Sequence, residues 1–89
     1  MKKTYLIQTS IKENEVFSSR IKSLGIWLKY FSNNWIIESH LSAQEIYNNL
    51  SFGFERESIF VIEVNTHNYW GRMNTKVWDY LKKRKKNNP

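Results

Sequence analysis

The chain has 89 residues, a net charge of +6, four Trp, five Tyr, five Phe and no cysteine. One small domain is the expected size class, and the lack of cysteine excludes disulfides, thiolate zinc sites and cysteine nucleophiles. No apolar run approaches the roughly 20 residues that span a bilayer, and Met1-Lys2-Lys3-Thr4 lacks a signal-like apolar stretch, so a cytoplasmic protein with no membrane contact is expected.

In chain order, Thr4 to Ser10 reads as a first strand with an apolar centre at Tyr5-Leu6-Ile7. A helix is expected to open within Lys12-Glu13-Asn14-Glu15, where acids favour the positive end of the helix dipole. Val16, Phe17, Ile21 and Leu24 mark its inner side, Arg20 and Lys22 its solvent side, and Gly25 its C-terminal cap. Trp27–Phe31 and Asn34–Ser39 form the centre of the pattern. They are two aromatic and β-branched strands joined through Ser32-Asn33-Asn34, residues that tolerate positive φ.

Ser42 and Glu45 have the capping-box spacing, so a second helix should begin at Ala43 with Ala43, Ile46, Tyr47 and Leu50 on its inner face. Residues 51–57 read as a loop hinged at Gly53, and Ser58–Val64 as a strand. Asn74 or Thr75 then starts a last helix with Met73, Val77, Tyr80 and Leu81 as its stripe and Trp78 beside it.

This βαββαβ order predicts an α+β fold: a ferredoxin-like sandwich with an extra C-terminal helix. The domain spans 1–81, and 82–89 forms a basic tail expected to be disordered. The strands do not alternate cleanly. Ile59 and Val61 oppose Phe60, Ile62 and Val64, and Trp35 and Ile37 oppose Ile36, so the sheet has two apolar faces. Two helices cover one face. A second copy of the chain is expected on the other, with the C-terminal helix as part of the cover.

Lys82-Lys83-Arg84-Lys85-Lys86 holds five of the fourteen cations, and without them nine cations stand against eight acids, a net of +1. The basic character therefore belongs to the C-terminal run, which could neutralise phosphates. If all five acted on duplex DNA, log affinity would fall with log salt at a slope of about −4.5. Tyr69, Trp70 and Arg72 form an aromatic and cationic group of the kind that stacks on single-stranded bases, with core or dimer packing as the plainer reading. The candidate nucleic-acid-binding residues are thus Tyr69, Trp70, Arg72, Lys82, Lys83, Arg84, Lys85 and Lys86.

No triad, Gly-rich phosphate loop or zinc pattern is present in the sequence, and no catalytic residue, metal ligand or cofactor is assigned. Asp79, the single Asp, reads as a solvated helix residue. Glu38 and His40 would share a side of a strand, but a strand-end charge and a turn histidine are the plainer reading. Glu55-Arg56-Glu57 reads as a solvated turn, with a charged contact to a partner as the functional alternative.

Tyr5-Leu6-Ile7, Ile21-Lys22-Ser23-Leu24-Gly25, Trp35-Ile36-Ile37-Glu38, Leu41-Ser42-Ala43-Gln44-Glu45-Ile46 and Trp78-Asp79-Tyr80-Leu81-Lys82 together resemble the SinR-family small bacterial proteins. Through them the chain is similar to the CRISPR-associated adaptation subunit (the second Cas protein) and to the virulence-associated protein D toxins. The resemblance implies a homodimer with sheets packed face to face, and a nuclease Asp at the end of the first strand that binds a divalent metal. Here that place falls on Ser10 or a neighbour within Gln8-Thr9-Ser10, none of them acidic, and a hydroxyl brings no charge to a hard cation.

The first expected function is a non-catalytic homodimeric binding module contacting nucleic acid or a nucleoprotein. The alternatives are a toxin-like endoribonuclease, or a phage- or defence-related protein or small-nucleotide binder using a dimer cleft.

Overall fold

The computed structural model describes residues 2–66, 71–72 and 75–87, without the side chains of 84–87. The chain runs β1 (Lys3–Thr9), α1 (Glu15–Leu24), β2 (Ile26–Phe31), β3 (Asn34–Ser39), α2 (Ala43–Ser51), β4 (Ile59–Glu63) and α3 (Thr75–Asn87). It is a small α+β fold in which four antiparallel strands lie in the order β2-β3-β1-β4. β1 and β3 are central, and β2 and β4 are the edges.

Alternation sends Tyr5 and Ile7 of β1, Trp35 and Ile37 of β3, and Ile59 and Val61 of β4 to one face. There Phe17 and Ile21 of α1 and Ile46 and Leu50 of α2 close the main core. Tyr5 is buried in it, and its hydroxyl donates to the Leu41 carbonyl at 2.6 Å. Burial holds its pKa above the ordinary phenol value.

The helices follow local signals. Asn14 caps α1, its side chain accepting from the Phe17 N–H, so the helix starts later than Lys12. Its buried stripe is Phe17 and Ile21, with Leu24 packed against them, while Val16 lies outside and is exposed. Arg20 does not face solvent as its sequence position suggests. It reaches across to α2, donates to the Leu50 and Phe52 carbonyls, and lies 5.4 Å over the Phe54 ring. A cation thus meets the negative end of α2, whose own last turn holds none.

The capping box opens α2 at Ala43 as expected. Tyr47 is exposed, because Ala43, Ile46 and Leu50 alone fill the stripe toward the core. Hydrogen bonds from Ser42 hold the Glu45 carboxyl below its usual range. Its ionised form is therefore favoured in the fold, a contribution present above the ordinary glutamate pKa and lost as pH falls through the lowered one. Ser42→Ala should cost about 1 kcal/mol in a denaturant titration at neutral pH. The gap in Tm between Glu45→Ala and the parent should close as acid protonates Glu45.

The hairpin forms as read, with two corrections. Neither Ser32 nor Asn33 takes positive φ. A register shift between Lys29 and Phe31 puts an extra residue, Tyr30, into β2, and this bulge adjusts the strand ends instead of a left-handed turn. Gly25 ends α1 in an extended conformation, not a left-handed one. Its missing side chain serves contact, since a Cβ there would stand 2.0 Å from the Glu38 carbonyl oxygen.

The second face of the sheet is divided. Val77 and Leu81 of α3 are buried against Ile36, with Leu6, Leu28, Tyr30, Trp78 and Tyr80 packed around them. The Tyr80 hydroxyl also donates to the Ile26 carbonyl at 2.7 Å. The chain itself thus covers the β2–β3 part of the face for which a second copy had been expected. Toward β4, Phe60 remains 53% exposed and Ile62 42% exposed. The helix continues through Asn87, so the run Lys82–Lys86 lies on helical backbone.

Candidate functional site

Where β1 ends, Gln8, Thr9, Ser10, Asn34, Ser58, Ile59 and Phe60 line an open cavity of about 400 Å³. Pairing of β1 with β4 builds it, because the strand register that sets Thr9 against Ile59 brings Ser10 beside Ser58. The Thr9 hydroxyl donates to the Ser58 carbonyl at 2.8 Å and accepts from the Ile11 N–H at 3.0 Å. The Ser10 hydroxyl accepts from the Ser58 N–H at 2.9 Å and donates to the Glu57 carboxylate. Each hydroxyl is held by a donor and an acceptor, so these lining groups are fixed before anything enters.

Glu57 is the site residue that sequence reading missed. It sits in a charged turn, and only the register between β1 and β4 shows that the turn closes over the end of the first strand. It places one carboxylate beside the position where the family resemblance puts a metal-binding Asp. Glu57 reaches the cavity through Ser10, and the lining groups themselves are neutral. Among the described residues no three His, Asp or Glu side chains gather to hold a cation. This donor set does not fit a divalent metal centre, which needs several oxygen ligands with compensating charge.

On the second face, Gln8 stands opposite Asn34 on β3 and opposite Phe60 on β4. Asn34 in turn pairs with Phe31 of β2. One row across all four strands therefore reads Phe60, Gln8, Asn34, Phe31. The two phenylalanines at its ends are 53% and 58% exposed. The next row, with Leu6, Ile36 and Leu28, is the one on which α3 rests.

Of the residues expected to bind nucleic acid, Tyr69 and Trp70 lie outside the described residues. Arg72 is exposed ahead of α3, and Lys82 and Lys83 are exposed on it, one and two positions beyond the buried Leu81. Arg84, Lys85 and Lys86 continue the helix backbone. Asp79 is exposed, as read. His40 is exposed just past β3, and Glu38 is buried and ion-paired with Lys2 at 3.7 Å. His67 lies outside the described residues. Among the described residues no helix is long and apolar enough to cross a membrane.

No protein-family model, curated protein or solved structure matches the chain.

Proposed function

We propose that this protein is a non-catalytic binding module that contacts nucleic acid through the basic half of α3. The observation that carries this reading is the placement of five consecutive cations on a helix whose preceding turns are anchored to the sheet by Val77 and Leu81. A helix spreads successive residues by about 100°, so roughly three of the five can meet one phosphate backbone at a time. The salt slope expected is therefore about −2.7 on duplex DNA and about −2.1 on a single strand, below the value for five contacts. The test is a salt titration of oligonucleotide binding by the intact protein. Replacing Lys82, Lys83, Arg84, Lys85 and Lys86 by Gln should flatten the slope toward zero while leaving the circular dichroism unchanged. A slope that survives these replacements would count against the reading.

The βαββαβ order and the antiparallel strand order support a ferredoxin-like core extended by α3. The kinship with SinR-family proteins, the CRISPR-associated adaptation subunit and virulence-associated protein D is part of the same proposal. So is homodimerisation, for which β4 is the suited element. It is an edge strand with apolar residues on both faces and with neither Lys nor Pro between Ile59 and Glu63, features that leave an edge open to strand pairing. Sedimentation should give twice the chain mass, and Ile62→Lys should give a single chain.

A second reading, a toxin-like endoribonuclease, is favoured by the Glu57 carboxylate held at the cavity. Purified protein would then cleave RNA, and Glu57→Gln would abolish cleavage while leaving binding intact.

A further inference from the structure

We infer that the row Phe60–Gln8–Asn34–Phe31 is a platform for the unstacked bases of a single-stranded nucleic acid, whose phosphates lie toward the cations of α3. This rests on the nucleic-acid reading above and specifies the form of its ligand.

Three features of the row point to bases. First, it joins two exposed aromatic rings to two carboxamides in one line, and strand spacing puts the outer positions about 14 Å apart. That separation lets each ring take a different base, while Gln8 and Asn34 offer paired donors and acceptors between them. Base faces stack on aromatic rings, and base edges, free of pairing only in a single strand, bond to such amides. Second, the row borders a cavity of about 400 Å³ among whose lining residues the Thr9 and Ser10 hydroxyls are already hydrogen-bonded. A flat polar ring entering it meets groups that need no reordering.

Third, charge sets the direction of the strand. Glu57 is bonded to Ser10 at the cavity, so a phosphate is disfavoured there, whereas a base amino group is not. Positive charge is supplied by α3, which packs on this same face of the sheet and leaves Lys82 and Lys83 exposed just past its anchor Leu81. Bases are thus drawn to the β1 end of the sheet and phosphates toward the helix. A duplex cannot use this arrangement, because its base faces are stacked on one another.

The experiment is fluorescence anisotropy on the full chain, using a labelled 12-nucleotide RNA, the DNA of the same sequence, and the duplex of that DNA. Both single strands should bind more tightly than the duplex, and a preference for RNA over DNA would identify which one the row reads through its 2′-hydroxyls. Phe60→Ala should weaken single-strand binding by between about 5- and 150-fold, the range for loss of one stacked base, and leave duplex binding unchanged. Phe60→Trp should restore it. Phe60 is exposed, so these variants should fold, as circular dichroism would check. If Phe60→Ala leaves single-strand affinity unchanged, or the duplex binds as tightly as the strands, the platform is wrong while the cationic helix still stands as the binding element. If the parent protein binds none of the three, the platform and the nucleic-acid reading fall together.

Discussion

Gly25→Ala should lower the stability of the domain by about 3 kcal/mol, the upper end of what overpacking usually costs. The added methyl would sit 2.0 Å from the Glu38 carbonyl oxygen and 2.9 Å from its carbon, both backbone atoms of a central strand. No side-chain rotation relieves such a contact. The start of β2 would have to move off β3, where Ile26 pairs with Glu38, or β3 would have to shift against β1, where Glu38 pairs with Thr4. For a domain of this size the loss corresponds to a fall in Tm of roughly 12–24 °C, readable by calorimetry. Gly25 already has extended φ, so backbone freedom contributes little to the effect. A variant as stable as the parent would mean that β2 does not approach β3 as closely as described.

The second large effect concerns α3. Leu81 is 7% exposed and Val77 4%, both packed on Ile36, so Leu81→Ala should cost about 2–3 kcal/mol, where a surface truncation stays within about 0.5. Leu81→Asp goes further. It puts a charge against an apolar sheet, and the expected outcome is release of the helix with Leu6, Leu28 and Ile36 uncovered. A rise in the fluorescence of an apolar dye should accompany the loss of helical signal. On the proposed nucleic-acid reading, affinity should drop in the same variant although no cation is removed, because the helix that carries the cations is then no longer anchored to the sheet.

Local chemistry in the sequence was enough for the elements whose signals are short in range. The Ser42–Glu45 capping box set the start of α2, and the aromatic pattern set β2 and β3, as the structure shows. The two apolar faces were also legible, and so was a stripe on the last helix able to cover one of them. What could not be read is everything that depends on register. Arg20 looked solvated until α2 was placed beside it, and Glu57 looked like a turn charge until β4 was paired to β1. The alignment of Phe60, Gln8, Asn34 and Phe31 requires three strand pairings and a bulge at Tyr30, none of which a local pattern specifies. Gly25 was recognised as the helix end, but its reason is a contact with Glu38, thirteen residues away.

This division of the sheet face determines where a ligand can sit. If the protein's own helix seals one part, the open row is left free to serve as the proposed binding surface. If a neighbouring copy seals it, the row belongs to an interface. An isotope-filtered NOE experiment on an equal mixture of labelled and unlabelled protein separates the two. The structure predicts that contacts between the Leu81 and Val77 methyl groups and Ile36 arise within one chain and are absent from the intermolecular spectrum. The same contacts appearing between labelled and unlabelled chains would contradict it.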